Sequence, residues 1–381
     1  MDARIAFVHD WLIGMRGGEK CLHYLCQLYP HADLFALIAQ PKKLSDVLRS
    51  RPLRTSLLQC LPLVYRYHRF LLPLMPAAIR MMQVRGYDLV LSSSSCVAKS
   101  VRTQRHVPHI CYCHTPMRYA WHMRDVYVES IPKPLRPVAG WILDQIREWD
   151  RATSTRVTQF IANSTHVSRR IKEAYGRESL VVNPPVDIDY YQPSSVEREE
   201  YYLVVSALVP YKRVDLAIEA CARLGRPLLI IGTGDAEARL RAQAKGMVTF
   251  AGWQSNEMIR HHMQRCRALL FPGEEDFGIV PLEAMACGTP IIALGRGGAT
   301  ETVVPWGDSR QPTGYFFEHE DVEEMVSAMT HFEKHRHDFA PLACRRRAEQ
   351  FSIPVFQSKI KHIIEASLIG ADPEQALRKA A

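Results

Sequence analysis

Short apolar runs alternate along this chain with longer stretches whose apolar residues recur every three or four positions. The runs at 5–9, 33–38, 88–92, 109–114 and 159–163 predict strands, and the patterns at 18–28 and 141–153 predict helices. A further strand at 181–187 runs into the pair Pro184-Pro185. Residues 193–200 are polar and charged and read as a linker. The alternation then restarts, with strands predicted at 201–207, 227–231, 247–251, 268–272 and 290–293 and helices at 214–223, 255–266 and 280–287. Such regular alternation predicts βαβ units and parallel sheets. The expected fold is therefore α/β, with two doubly wound, Rossmann-like domains at residues 1–195 and 196–355. A C-terminal helix, residues 356–381, is able to pack back on the first domain. Ligands are expected at the carboxyl ends of the strands, in a central crevice that the domains face.

Composition narrows the class. With 381 residues, 47% hydrophobic and 23% charged, the chain can bury two or three cores, which excludes disordered, collagenous and disulfide-scaffold proteins. The ten cysteines stand mostly singly in apolar runs and form no CxxC, so a reduced, cytoplasmic setting is expected. The first strand begins almost at once, at Arg4–His9, which argues against a signal peptide. No stretch of about 18 apolar residues predicts a membrane span.

The formal net charge of +8 is unevenly placed: residues 1–190 hold 26 Lys+Arg and 15 Asp+Glu, and the remainder 22 and 25. Basicity thus belongs to the first domain. Within it, residues 56–82 mix leucines and Phe70 with Arg66, His68, Arg69 and Arg80. Three prolines there exclude one long amphipathic helix, and short basic-apolar helices suit an anionic membrane face. That reading makes the protein peripheral on the inner face of a membrane. No nucleic-acid reader motif accompanies the charge, so no nucleic-acid partner is expected.

The richest segment is 271–290, FPGEEDFGIVPLEAMACGTP. A strand ends in Pro-Gly, an acidic loop leads to Gly278, a helix follows, and Gly288 ends it. Glu275 precedes the helix and Glu283 lies within it, so both carboxylates can face one crevice and accept bonds from vicinal sugar hydroxyls. Amides near Gly278 form a helix start suited to a diphosphate. A second segment, 204–220, brings Lys212-Arg213 to another helix start, where cations oppose the helix dipole unless an anion binds there. After the first strand, residues 9–20 carry Gly17-Gly18, which permit close backbone approach, in a spacing that is neither GxGxxG nor a phosphate-binding loop. His114 ends the strand of the segment His109–Trp121, where Thr115-Pro116 turns the chain.

These segments resemble the retaining GT-B glycosyltransferases of family 4, and CHTPxRYxW especially resembles their mannosyltransferase-like branch in bacterial surface polysaccharide assembly. The resemblance covers residues 200–350 almost fully and three short segments before them. It implies that Glu275 contacts donor-sugar hydroxyls and that Glu283 holds the ribose. Amides of Phe277, Gly278, Ile279 and Val280 would approach the sugar and diphosphate, and Lys212 would neutralise the leaving group. Family members often carry an arginine five residues before this lysine. Ala207 stands there, which leaves Arg213 to supply a second charge. The resemblance places Gly17, Gly18 and Gly232 near the donor, His114 near the sugar or acceptor, and Arg118 near an acceptor phosphate. It implies no metal or other cofactor. Asp187-Ile188-Asp189 is accordingly read as a turn, and Asn163-Ser164-Thr165 as a strand-to-helix turn whose Ser or Thr caps the helix.

The expected activity is retaining transfer of a sugar, with GDP-mannose favoured, to a saccharide or lipid-linked saccharide. A GT-B sugar-nucleotide epimerase and a non-catalytic sugar-nucleotide binder remain alternatives that use the same residues.

Overall fold

The computed structural model describes residues 3–129, 131–307 and 311–380. Contacts divide the chain into two units, Met1–Asn183 with Phe356–Ala381, and Pro184–Val355. The first contains β1 (Ile5–Leu12), β2 (Asp33–Ala39), β3 (Leu53–Thr55), β4 (Leu89–Ser94), β5 (His109–Cys113), β6 (Gln159–Ala162) and β7 (Ser179–Val181). They form one sheet in the order β3-β2-β1-β4-β5-β6-β7, with every pair parallel. The second contains β8 (Tyr202–Val205), β9 (Leu228–Ile231), β10 (Val248–Gly252), β11 (Ala268–Phe271), β12 (Ile291–Leu294) and β13 (Gly314–Phe317). Their order is β10-β9-β8-β11-β12-β13, again all parallel.

Helices cover both faces of such sheets, so central strands read as continuous rather than alternating apolar runs. Every residue of β4, β5, β11 and β12 is buried. The strand order reverses between β1 and β4 in one sheet and between β8 and β11 in the other. Loops leaving neighbouring strands there diverge, and a crevice opens at their carboxyl ends.

Two strands lie outside the expected set, β3 and β13, each at a sheet edge. The strand expected at 181–187 is instead β7, Ser179–Val181, because Pro184 and Pro185 cannot donate to a ladder. The helix Arg136–Thr153 begins earlier than expected, because Pro137 lies in its first turn, where a missing donor costs nothing.

Residues 193–200 are not a loose tether, and the unit boundary falls at 183/184 rather than 195/196. The Val186 N–H donates to Phe351 O at 2.8 Å. Arg198, in the charged stretch, donates to Cys266 O (2.8 Å), Thr289 Oγ1 (2.8 Å) and Gly288 O (2.7 Å). It thereby satisfies carbonyls left open at two helix ends. In the first unit, the Phe356 ring packs edge-on against Tyr112 and the Gln357 amide donates to Tyr24 O, which fixes the C-terminal segment.

A polar knot ties the first unit together. Lys99 Nζ meets Asp150 Oδ1 at 2.9 Å, with both side chains at most 2% exposed. Asp150 Oδ2 accepts from Trp121 Nε1 and Tyr175 OH, each at 2.8 Å, and the ammonium also lies over the Tyr175 ring. Removing one member strands a buried charge.

In the second unit, glycines let the loops at the carboxyl ends touch backbone to backbone. A Cβ on Gly273 would stand 2.6 Å from Tyr211 O and 2.7 Å from Lys212 Cα. One on Gly298 would stand 2.1 Å from Phe277 Cα, and one on Gly232 1.8 Å from Ser206 O. The loops after β8, β9, β11 and β12 are thus interlocked.

Lys99→Met should lower unfolding stability by about 3–5 kcal/mol in urea titrations, because Asp150 loses its buried partner. Gly273→Ala should cost roughly 1–3 kcal/mol, since the obstacle is backbone. Gly14→Ala, where nothing lies within 4 Å, should stay within about 0.5 kcal/mol of the parent in the same assay.

Candidate active site

β8 delivers the chain to a single 3₁₀ turn, Pro210–Lys212. Arg213 then adopts φ 49° and sends the chain into the helix Val214–Arg223. This kink brings the Lys212 ammonium directly onto the Glu275 carboxylate from the loop after β11. The two side chains are only 13% and 23% exposed, so the pair is poorly screened by water. It closes over a narrow cleft of about 10 Å³ lined in part by Ser206, Phe271 and Gly273. A larger groove of about 370 Å³ lies at the opposite ends of the strands, beside Leu228, Val248 and His262, and shares no residue with the pair.

The Glu275 loop is held from below, since Glu275 O accepts the Gly298 N–H at 2.8 Å. Gly278 then takes φ 84°, open only to glycine without strain, and starts the helix Ile279–Ala286. No acidic residue occupies that helix's first turn, and the Phe277 side chain is buried. The amides at this start carry the positive end of the helix dipole. Glu283 is buried on the same helix, and the Tyr191 hydroxyl hydrogen-bonds to it. Burial, then the nearby Glu283 charge, holds the Tyr191 hydroxyl well above its usual range, which keeps it a donor. Arg345 Nη1 fixes the Tyr191 turn by donating to Ile188 O (2.7 Å) and Tyr191 O (2.8 Å).

In the first unit, Gly17 and Gly18 begin the helix Gly17–Leu28, which follows β1. Glu19 Oε2 accepts the Arg16 N–H at 3.1 Å, and burial pushes its carboxyl up to about 6. A Cβ on Gly18 would stand 3.4 Å from His114 Nε2, so the glycine and the imidazole face each other. His114 Nε2 also shares a hydrogen bond with Ser93 Oγ at 2.8 Å. The Asn163 amide holds the His114 carbonyl at 3.0 Å. His9 lies edge-on to His114; burial first, then the His114 charge, pushes it down to about 3, so it stays neutral. Asp10 spans the switch point. Its carboxylate accepts the N–H groups of Ser95, Cys96, Val97 and Ala98 at 2.6–2.9 Å and so joins the end of β1 to the loop after β4.

The structure therefore brings Lys212 together with Glu275, and Gly18 together with His114. Phe277, Gly278, Ile279 and Val280 form one loop and helix start. It does not leave Arg213 as an available cation: Asp215 (3.0 Å) and Glu320 (2.6 Å) both hold its guanidinium. Nor is the Gly232 amide open to a ligand, since it donates to Gly252 O at 2.7 Å, and Gly232 contributes close packing instead. Arg118 is half-buried in the turn after β5, where its carbonyl accepts the Met123 N–H. Asp187 closes a turn onto the Tyr190 N–H at 2.9 Å, and Ser164 caps the helix Thr165–Tyr175.

Sequence reasoning passed over Ser93, Asp10 and Tyr191. The run Ser92–Ser95 at a strand's carboxyl end was a usable signal for the first. The other two depend on partners far away in the chain.

The family model described as Glycosyltransferase Family 4 matches residues 16–190, and that of Glycosyl transferases group 1 matches residues 189–350. The D-inositol 3-phosphate glycosyltransferase of Geodermatophilus obscurus is 29% identical over 256 residues, covering 57% of this chain and 54% of that protein. A GDP-mannose-dependent monoacylated alpha-(1-6)-phosphatidylinositol monomannoside mannosyltransferase of Corynebacterium glutamicum is 30% identical over 218 residues, 49% of this chain and 56% of that one. The chain thus spans about half the length of these curated relatives. Anabaena HepE, solved with UDP, superposes with a TM-score of 0.72 at 19% identity, over 95% of this chain and all of that one. Sucrose-phosphate synthase of Thermosynechococcus elongatus superposes with a TM-score of 0.72 at 16% identity, over 97% of this chain and all of that one. The two parallel sheets have the GT-B fold, and the chain belongs to the family 4, group 1 glycosyltransferases.

Proposed function

We propose that this protein transfers a sugar, with retention of anomeric configuration, from a nucleotide sugar to a hydroxyl of a saccharide or lipid-linked saccharide. The observation that carries the reading is the Lys212–Glu275 pair beside the Gly278 helix start at the switch point of the second sheet. Breaking the bond between the anomeric carbon and the nucleoside diphosphate builds negative charge on the leaving oxygen. Lys212 and the amides around Ile279 supply positive charge there without a metal ion. A bound diphosphate competes with Glu275 for the ammonium, which turns the carboxylate toward the hydroxyls of the sugar. Glu283, oriented by Tyr191, takes the ribose hydroxyls. The acceptor oxygen bonds to the anomeric carbon as its proton passes to the departing phosphate oxygen, so no separate strong base is required.

The favoured donor is GDP-mannose, a choice supported by the name of the Corynebacterium relative. We assign the acceptor side to the first unit, where Gly18, Ser93 and His114 converge, and place its work at an anionic membrane surface on the cytoplasmic side.

Lys212→Ala and Glu283→Ala should each cut transfer from labelled donor by at least about tenfold while circular dichroism stays unchanged. Wild-type rates in both variants would refute the assignment. Thermal-shift titration with GDP-mannose, UDP-glucose, GDP and UDP should rank the guanosine compounds first. Products formed from donor alone would instead indicate an epimerase, and a shift without any turnover a binding protein.

A further inference from the structure

Between Asp46 and Asp88 the chain holds seven arginines and no acidic residue. This acid-free stretch includes four short helical elements of four to seven residues, Leu57–Cys60, Val64–Tyr67, His68–Leu74 and Met75–Met81. One side of them is core: Leu58, Val64, Met75 and Ile79 are buried with Phe35 and Val90 of the sheet. The other side is not. Phe70 is 80% exposed, Leu57 69%, Leu63 68% and Met81 59%. Scattered single leucines on a surface are ordinary, but a run of them is a patch. The exposed rings are grouped, with Phe70 6.3 Å from Tyr67 and the Arg66 guanidinium 5.5 Å over Tyr67. Leu63 adopts φ 53°, a left-handed conformation costly for a leucine, and its side chain nevertheless points to solvent. Packing within the fold does not repay that conformation. Beyond the patch, Tyr119 lies near Arg69 and packs on Tyr127, in the helix Arg124–Glu129. Val126 of that helix and Trp141, in the next long helix, are exposed as well.

We infer that this face of the first unit docks on a lipid bilayer carrying anionic headgroups, with Leu57, Leu63 and Phe70 entering the interface and Arg66 and Arg69 meeting the headgroups. The inference rests on the reading of this unit as the acceptor side of a transferase. Aliphatic and aromatic tips beside arginines are the composition that partitions into the headgroup region. Basic residues near an anionic surface add attraction that salt screens. Because the elements are short and broken by prolines, they present separate side-chain tips rather than one regular face for a helix or strand of another protein. Among the described residues, no helix is long and apolar enough to cross a membrane, so this attachment is peripheral.

The test is cosedimentation of the full chain with vesicles of phosphatidylcholine alone and with added phosphatidylglycerol, at low and high salt. Binding should require the anionic lipid and weaken with salt. Leu63→Ser combined with Phe70→Ser should reduce binding by at least about tenfold while leaving its salt dependence in place. Arg66→Gln with Arg69→Gln should mainly remove the preference for anionic lipid. Soluble polyglutamate is the control for an acidic protein partner; if it binds through Phe70 while vesicles do not, the inference fails. It also fails if anionic and neutral vesicles sediment the protein equally, or if the serine variant binds like the parent. Thermal shifts with GDP and UDP should be identical in all variants. A parent that shows those shifts but binds no anionic vesicle overturns the docking face alone, and absent shifts in the parent count against the donor site instead.

Discussion

The ion pair between Lys212 and Glu275 spans the point where the strand order of the second sheet reverses. A parallel sheet must diverge there, and two loops distant in sequence end up side by side. Opposite charges on those loops hold the site in register. The pair is partly sheltered from water, so its members interact more strongly with each other, and with any phosphate that competes, than they would on an open surface. Position alone would not suffice, because a flexible loop would spend much of its interaction energy on ordering. Glycines answer that requirement. Gly273, Gly298 and Gly232 let neighbouring backbones touch where any side chain would collide. The carboxyl-end loops of this unit behave as one body, and the helix start at Gly278 is fixed to it.

The first sheet uses the same topological opening with a different chemistry. Its bridge across the reversal is Asp10, whose carboxylate accepts four backbone N–H groups and the Ser95 hydroxyl. A neutral His9, Ser93 and the small Gly18 then surround His114. The positive charge of this unit lies along the acid-free arginine stretch, away from the imidazole in sequence and mixed with exposed apolar side chains. Charge is thus localised and paired at the switch point of the second unit and diffuse in the first.

Much of the fold was legible because parallel strands covered on both faces leave unbroken apolar runs, and those of β4, β5, β11 and β12 were plain. The edge strands β3 and β13 were not, since Leu53-Arg54-Thr55 holds one apolar residue and Gly314-Tyr315-Phe316-Phe317 opens on a glycine that disfavours a strand. The charged stretch at 193–200 misled for a related reason. Composition could not reveal that the Arg198 guanidinium is spent on carbonyls at two helix ends. The candidate site was legible where one continuous segment carries it, as from Glu275 through Gly278 to Glu283. Arg213 illustrates the limit: a basic pair at a helix start suggested two available cations, yet Asp215 and Glu320 neutralise one of them.

By itself the sequence determined the alternation of strands and helices, the two-domain plan, the glutamate segment and the basicity of the first half. Each of these is a local or compositional property, readable from residue type and spacing. The tertiary structure decided which charges meet, which amides are already bonded, which serine faces His114 and which leucines stay outside the core. Those outcomes depend on residues distant in the chain, brought together only when the sheets order their strands, and no local pattern encodes the partner.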